Sequence, residues 1–269
     1  MIISQIKSLL RDLKNYYFPN KNPFGKKVVA SEDYYKSIYN KAKKEKFEII
    51  DNLEIKNGFK IEKDWLDDLA LHTQVVKKLS PINYQHGRLL YSFLSKYIEE
   101  NKIKNINILE IGTARGFSSI CMSKSLIDTN TEGKINTIDI IPNNIKIFWN
   151  CIDDHEGKKT RYELLSKWDN ERKNVNFLTG PSRFILKDLK IGRINFSFID
   201  GMHDYQSVLR EFNFISSKQI KNDLIIFDDV DIKFSGVLNF VKEEKDKKIY
   251  DIKIIKVNEE RSYAIFKKK

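Results

Sequence analysis

The stretch ILEIGTARGFSS, residues 108–119, joins an apolar strand to a helix through a turn that contains two glycines. Gly112 and Gly116 are spaced i and i+4, which differs from the G-x-G-x-x-G spacing that is typical of dinucleotide oxidoreductases. Glycines let a ligand approach the backbone closely, and the N–H groups of the following helix, which begins near Ser118, can hold a carboxylate. The stretch therefore predicts a strand, a turn and a helix that together bind a ligand.

Short apolar runs alternate with helical segments from about residue 104 onward. Such alternation predicts a parallel sheet with helices on both faces. The tail differs, because two apolar runs at 249–257 and 262–268 flank a short polar turn, which favours an antiparallel edge. The expected fold class is therefore α/β, with a mostly parallel sheet and an antiparallel C-terminal edge. The runs interpreted as parallel strands are INILEI, INTIDI, VNFL, INFSFID and DLIIFDD.

The segment before the sheet has mainly helical patterns. Residues 1–63 are predicted to form a helical N-terminal extension, and residues 64–269 the main domain with a lid-like insertion at 142–173. The first helix has an apolar stripe that could pack on the body of the protein, pair with a second copy in a homodimer, or touch a membrane surface, and packing is favoured. The stripe consists of Ile2, Ile3, Ile6, Leu9, Leu10 and Leu13.

Hydrophobic residues make up 41% of the 269 residues, enough for a substantial core. No apolar run approaches the roughly 18 residues that span a bilayer. Charges at Lys7, Arg11 and Asp12 interrupt any signal-peptide core, so we expect a soluble cytoplasmic protein without a transmembrane segment. Cys121 and Cys151 have neither metal-type spacing nor the pattern of a disulfide framework.

The formal net charge of +11 has two interpretations. It could mark a nucleic-acid-binding surface. It could equally reflect lysines spread over solvated faces, and this is favoured because the lysines are scattered and mixed with acids, as in KAKKEKFE and KEEKDKK. An anionic substrate remains compatible with this charge.

Acidic residues follow four of the five predicted parallel strands. The carboxyl ends of parallel strands meet at one edge of a sheet, where ligands of such folds bind. Asp139 follows the second strand, where an acid can accept hydrogen bonds from ribose hydroxyls. We therefore expect a polar, anionic rim along this edge. The acids concerned are Glu110, Asp139, Asp200, Asp228 and Asp229.

The ordered set of motifs resembles the class I S-adenosylmethionine-dependent methyltransferases over roughly residues 65–269. More narrowly, YQHGRLLYSFL before ILEIGTARGFSS, then DGMHDY, then FDDV, is similar to the methyltransferase 24 group, which is related to catechol-type and macrolide sugar O-methyltransferases. The resemblance implies a Rossmann-like, seven-stranded sheet. It also implies S-adenosylmethionine as the cofactor.

The resemblance further implies which residues hold the cofactor. Glu110, Gly112, Thr113 and Ser118 match the positions at its methionine end, and Asp139 matches the ribose ligand. Ser182 and Arg183 match positions that flank the adenine, although Ser182 could instead cap the next helix. The complete predicted cofactor set is Glu110, Gly112, Thr113, Gly116, Ser118, Asp139, Ser182, Arg183 and Asp200.

By the same resemblance, Asp200, Asp228 and Asp229 match metal ligands. Three adjacent carboxylates repel one another, and a hard divalent cation, Mg²⁺ or else Mn²⁺ or Ca²⁺, would relieve that repulsion. The relatives usually carry Asp-Asn where this chain has Asp228-Asp229, so one more negative charge is expected. His203 lies three residues after Asp200, at a position where the relatives carry a lysine. An imidazole there suits a general base, and the predicted catalytic residues are His203 and Asp200.

The insertion at 142–173 contains Trp149 and Trp168 among basic residues. The tryptophans could form a wall that recognises a sugar, or they could be ordinary core residues of a helical insertion, and the sequence does not favour either. Arg115, between the two glycines, is predicted to be exposed.

These observations favour a metal-dependent O-methyltransferase that acts on a hydroxyl of a small polar acceptor. A sugar, a nucleotide sugar or a natural product would suit the site. A nucleic-acid methyltransferase is the first alternative, but the chain lacks the Pro-Pro pair typical of amino-group methylators of that class. A non-catalytic binding module on the same fold is the second alternative.

Overall fold

The computed structural model describes residues 2–259 and 261–269. Five helices precede the sheet, in the segment for which the sequence predicts mainly helical structure. They are α1 (Ile2–Tyr17), α2 (Glu32–Ala42), α3 (Glu48–Asn57), α4 (Lys63–Thr73) and α5 (Gln85–Asn101). The later helices are α6 (Phe117–Asp128), α7 (Arg161–Leu164), α8 (Asp169–Arg172), α9 (Ser182–Asp188), α10 (Tyr205–Ser216) and α11 (Ser235–Lys247). None of the helices among the described residues is both long and apolar enough to span a membrane.

The described residues form one seven-stranded sheet in the order β3-β2-β1-β4-β5-β7-β6. The strands are β1 (Asn105–Ile111), β2 (Glu132–Asp139), β3 (Val175–Thr179), β4 (Phe196–Ile199), β5 (Leu224–Phe227), β6 (Tyr250–Asn258) and β7 (Arg261–Lys268). Strands β1 to β5 pair in parallel, and β7 pairs antiparallel with both β5 and β6. The predicted fold class, with its antiparallel C-terminal edge, is confirmed.

The two faces of the sheet follow the period-2 alternation of the strands. In β1, Ile106 and Ile108 join the core on one face, and Leu109 and Ile111 join the core on the other. The first face is covered by α2 to α6, and the second by α9, α10 and α11. Residues of α2 and α3 belong to the same cluster as the sheet, so the N-terminal helices share the main core.

Helix α1 packs in the opposite orientation to the one expected. Ile6, Leu9 and Leu10 of the apolar stripe are exposed, whereas Ser8 and Asp12 on the polar side are buried. The prediction that this stripe packs on the body is therefore wrong for these three side chains. The reason is electrostatic, because the buried side of α1 forms hydrogen-bonded ion pairs with α9 and α10, described below.

The insertion at 142–173 is ordered around a small apolar cluster of its own. Trp149 is fully buried there, packed with Ile147 and Leu164, and Trp168 is also buried. Both tryptophans are thus core residues rather than an exposed sugar-binding wall. Arg115 is buried as well, and its Nε donates a hydrogen bond to the carbonyl of Trp149 at 2.6 Å. The prediction that Arg115 is exposed is wrong, because the insertion covers it.

Candidate active site

Two cavities lie side by side at the carboxyl ends of the parallel strands. The cationic cavity has a volume of about 450 Å³, and the α1 cavity has a volume of about 340 Å³. Gly112, Ala114 and Asp200 line both. The cationic cavity is further lined by Lys78, His86, Thr113, Arg115, Ser118, Asp229, Lys233 and Arg261. The α1 cavity is further lined by Arg11, Asp12, Asn15, Asp139, Gly180, Ser182 and Glu211.

The β1–α6 turn, at the junction of the cavities, requires glycine. Gly112 has a φ of +103°, and a Cβ at this position would lie 2.0 Å from the carbonyl oxygen of Asp200. The close approach holds the ends of β1 and β4 together, and the amide of Asp200 donates to the carbonyl of Ile111 at 2.8 Å. Gly116, with a φ of +92°, is the N-cap of α6 and packs against Leu165 instead of lining a cavity.

Glu110 does not occupy the position expected of a cofactor ligand. Its carboxylate is fully buried and lines neither cavity. Ser118 and Ser119 of α6 each donate a hydrogen bond to it, as does Thr137 of β2 at 2.5 Å. Burial raises the pKa of Glu110, and the three hydroxyl donors oppose that change. Glu110 therefore ties β1, β2 and α6 together below the turn.

Thr113 and Ser118 line the cationic cavity rather than the α1 cavity. The hydroxyl of Thr113 lies 2.5 Å from that of Thr137. The hydroxyl of Ser118 is engaged by Glu110, so its contact with a ligand would come through its remaining lone pairs or its backbone.

Asp139 lies in the wall of the α1 cavity. One of its oxygens accepts from the backbone N–H of Ala114 at 2.7 Å, and the other accepts from the N–H of Ile141 at 2.8 Å. These bonds fix the carboxylate between the β1–α6 turn and the end of β2. Each oxygen retains a further lone pair that can accept from a hydroxyl of a bound molecule.

Ser182 and Glu211 form the far wall of the α1 cavity. The hydroxyl of Ser182 donates to Oε1 of Glu211 at 2.6 Å, and no side-chain cap bond from Ser182 is seen within α9. Oε2 of Glu211 is buried and has no hydrogen-bond partner among the described residues. Burial raises the pKa of Glu211 to about 7, although Ser182 and Arg210 oppose the change.

Arg183 faces α1 rather than a cavity. Its Nε donates to Asp12 at 2.7 Å, and its Nη2 donates to Ser8 at 3.2 Å. Arg11 of the same helix pairs with Asp204 at the start of α10 at 3.3 Å. The predicted adenine-flanking residue therefore holds α1 against the rim of the α1 cavity.

Asp200, His203 and Asp229 form a compact cluster where the two cavities meet. One ligand atom from each lies within 4.8 Å of the others, a spacing that could hold a metal ion. Nε2 of His203 lies 3.2 Å from Asp229 and 3.8 Å from Asp200, and it is buried without a partner of good hydrogen-bond geometry. Burial and the charge of Asp228 raise the pKa of both Asp200 and Asp229. Burial opposes protonation of His203, but the surrounding carboxylates outweigh it and raise the pKa of the imidazole.

Asp228 does not belong to this cluster. Its side chain is fully buried, and Arg261 of β7 donates to both of its oxygens, through Nε at 3.1 Å and through Nη2. One oxygen also accepts from the N–H of Asp229 at 2.7 Å. The three-aspartate arrangement expected from the sequence is thus replaced by two aspartates and His203, because Asp228 already has a cation.

Several residues of the two cavities were not anticipated. Lys78 and Arg261 lie in segments without any motif, and their positions depend on the fold. Glu211 did have a signal, because α10 places it on the same helical face as Val208 and Ile215, which are core residues. A carboxylate in an apolar stripe indicates a buried polar role. His86, to which the sequence analysis assigned no role, is buried and stacks on Phe198.

Comparison with known proteins gives one family match. A family model described as a methyltransferase domain matches residues 109–230. No curated protein matches the sequence.

Solved structures share the fold at low sequence identity. Cofactor-bound Rv0187 from MTB is 17% identical, with a TM-score of 0.54 over 75% of this chain and 85% of that one. The O-methyltransferase TomG from Streptomyces achromogenes, in complex with SAM, is 16% identical, with a TM-score of 0.56 over 78% and 92%. The O-methyltransferase NovP is 16% identical, with a TM-score of 0.52 over 71% and 83%. The likeness concerns the fold, and the two cavities lie at the edge of the sheet where such folds bind ligands.

Proposed function

We propose that the chain is an S-adenosylmethionine-dependent O-methyltransferase, because a methyltransferase-domain model matches residues 109–230. The observation that carries the proposal is the meeting of two cavities at Gly112, Ala114 and Asp200, with His203 beside the junction. One cavity would hold the methyl donor and the other a small polar hydroxyl compound. The reacting atoms would then meet next to a base.

The α1 cavity fits the adenosine part of the cofactor. Its carboxylate at Asp139 suits ribose hydroxyls, and the unpartnered oxygen of Glu211 suits a donor such as an amino group. Its volume of about 340 Å³ is that of a small-molecule site. The cofactor, when bound, supplies a methyl group on a sulfonium centre.

His203 is proposed as the base that takes the proton from the acceptor hydroxyl. Its Nε2 lies 3.2 Å from Asp229, and an adjacent carboxylate stabilises the imidazolium that forms. His203 would take the proton from the acceptor oxygen as that oxygen takes the methyl group, which the cofactor would supply. Asp200 would orient the hydroxyl, since its carboxylate lines both cavities.

A divalent cation is proposed as a further component, held by the carboxylates of Asp200 and Asp229. The fit rests on the ligand atoms of the two acids lying within 4.8 Å of each other, and burial and the charge of Asp228 raise the pKa of both carboxyls, a cost that a cation would offset. Two carboxylates suit Mg²⁺, which keeps several waters in its shell. Nε2 of His203 cannot ligate a cation and accept a proton at once, and we assign it the proton. Asp228 is left out of the ligand set because Arg261 holds it.

The first experiment measures binding of S-adenosylhomocysteine by calorimetry. Turnover is then measured as the formation of S-adenosylhomocysteine from S-adenosylmethionine in the presence of sugars, nucleotide sugars or phenolic compounds. The variant His203→Asn should leave S-adenosylhomocysteine affinity unchanged and lower turnover by about 10²–10⁴. His155→Asn is the matched control, because this exposed imidazole lines neither cavity: its Nε2 contacts the carbonyl of Ala30, and its ring packs edge-on against Tyr35. Absence of S-adenosylhomocysteine binding by the wild-type chain would refute the proposal.

The metal is tested separately by turnover in EDTA with and without added Mg²⁺. We expect turnover to be lost in EDTA and restored by the cation. Undiminished activity in EDTA would remove the cation from the proposal and leave the base unaffected.

A further inference from the structure

The outer side of helix α1 carries an apolar stripe that the body of the protein does not cover. Ile6, Leu9, Leu10 and Tyr17 are exposed, Leu10 to 60% and Tyr17 to 67%. Spacings of three, four and seven residues place them on one face of the helix, and we call these four residues the outer stripe. Single exposed apolar side chains are common on proteins, whereas a continuous row of them indicates an interaction surface.

Contacts on the inner side of α1 keep the outer stripe turned outward. Arg183 of α9 donates to Asp12 through Nε at 2.7 Å and to Ser8 through Nη2 at 3.2 Å. Arg11 pairs with Asp204 at the start of α10 at 3.3 Å. A rotation of the helix that buried the outer stripe would break these contacts. The stripe therefore stays in water unless a partner covers it from outside.

Positive charge borders the outer stripe. Lys7 lies three residues before Leu10 and Lys14 four residues after it, so both lysines are neighbours of Leu10 on the helix surface. Both are exposed, and neither forms an ion pair with a carboxylate among the described residues. Asp12 is the only acidic residue in 1–31, and its side chain is buried against Arg183. Three further exposed lysines follow the helix, namely Lys21, Lys26 and Lys27.

A lipid surface fits this combination better than a second copy of the chain. Helix α1 has 16 residues and is about 24 Å long, so a stripe about 10 Å wide covers roughly 240 Å². A stable pair of proteins needs about 800 Å² from each partner. Two copies that met through this face would also bring their lysines together. A bilayer needs no matching surface, and anionic headgroups attract the lysines that border an apolar helix face.

We propose that the outer stripe of α1 binds the surface of an anionic lipid bilayer, with the helix lying in the plane of the membrane. The apolar side chains of the stripe enter the boundary between headgroups and acyl chains, and Lys7 and Lys14 contact the headgroups. The inner side of the same helix lines the α1 cavity through Arg11, Asp12 and Asn15, so this cavity lies next to the membrane in the bound state. The proposal does not depend on the proposed function.

The test measures co-flotation of the full chain with two kinds of vesicle, phosphatidylcholine alone and phosphatidylcholine with about 30% phosphatidylserine. The wild type should bind the anionic vesicles at least about tenfold more tightly than the neutral ones. The double variant Ile6→Ser/Leu10→Ser should weaken binding to anionic vesicles by more than about tenfold, because it removes two buried apolar side chains. The double variant Lys7→Gln/Lys14→Gln should weaken it by about 25-fold, at about fivefold for each lysine near the surface.

Helix α3 offers matched controls for both changes. Ile55→Ser removes an apolar side chain that is 78% exposed, and Lys56→Gln removes the exposed lysine beside it. Both controls should leave vesicle binding unchanged. All substituted side chains are exposed, so each variant should keep the melting temperature of the wild type, which shows that a loss of binding is not a loss of folding.

Three results would overturn the proposal. The first is a wild type that does not float with anionic vesicles at low salt. The second is equal binding of the wild type and of Ile6→Ser/Leu10→Ser. The third is a wild-type dimer in sedimentation velocity that Ile6→Ser/Leu10→Ser converts to a monomer, because a second copy of the chain would then cover the outer stripe.

Discussion

Glu211 gives the sharpest test of the electrostatics of the α1 cavity. The group is almost fully buried, receives one hydrogen bond from Ser182, and has a pKa near 7 instead of the usual 4.5. Because its pKa is raised on folding, the folded chain keeps a proton that the unfolded chain releases between these two values. The free energy of unfolding must therefore fall as the pH rises from 4.5 to 7.

The size of the effect follows from the change in pKa. A difference of about 2.5 pKa units corresponds to about 3 kcal/mol at 1.36 kcal/mol per unit, fully expressed above pH 7. Glu211→Gln removes the titration and keeps an oxygen that can accept from Ser182. Because the glutamine does not titrate, between pH 5 and pH 8 the wild type should lose about 2.5 kcal/mol more unfolding free energy than the variant.

The assay is urea denaturation of the cofactor-free chain at a series of pH values, with the free energy of unfolding obtained by linear extrapolation. Other titrating groups are present in both proteins, so the difference between the two curves isolates Glu211. Glu132→Gln removes an exposed carboxylate and controls for the loss of one charge. Curves for wild type and Glu211→Gln that stay parallel from pH 5 to pH 8 would refute the reasoning.

Three further outcomes are expected. Asp228→Asn should lower the unfolding free energy by about 3 kcal/mol in urea denaturation, because it leaves the half-buried Arg261 without its anionic partner, and a loss below about 1 kcal/mol would contradict this. Gly112→Ala should weaken S-adenosylhomocysteine binding in calorimetry by more than about tenfold, since the added methyl group would lie 2.0 Å from the Asp200 carbonyl oxygen. Unchanged affinity would contradict the requirement for glycine at this close approach. Asp12→Ala should speed hydrogen exchange in α1 by removing the partner of Arg183, whereas exchange identical to wild type would show that other contacts hold the helix.

The fold was predictable because its signal is periodic and repeated. Each apolar run is bounded by polar turns, and the alternation of strands and helices leaves few topologies. The same periodicity could have corrected the expectation that Glu110 faces the cofactor. Alternation along β1 places it with Ile106 and Ile108, on the face that α6 covers, so its side chain points to the serines of α6 and not to a ligand at the strand end.

The packing of α1 was not predictable from its amphipathic pattern. That pattern identifies a helix, but it does not identify the neighbour that each face meets. Asp12 and Ser8 accept hydrogen bonds from Arg183 on α9, which is more than 170 residues away in sequence. These contacts place the polar face of α1 on the inside. Interactions of this range depend on the complete fold and leave no local trace in the sequence.

The ion pair of Asp228 shows how the topology of the sheet determines which acid at its edge is paired with a cation. Strand β5 ends at Phe227, and its neighbour β7 begins at Arg261 and runs antiparallel to it, with Ala264 paired to Phe227. Only an antiparallel neighbour brings its first residue to the edge where β5 ends, since a parallel strand would begin at the opposite edge. The C-terminal hairpin therefore supplies an ion-pair partner to Asp228, whereas Arg261 acts on Asp200 and Asp229 only from a longer distance. The two remaining carboxylates share His203, and their repulsion is what a bound cation or a proton on the imidazole would relieve.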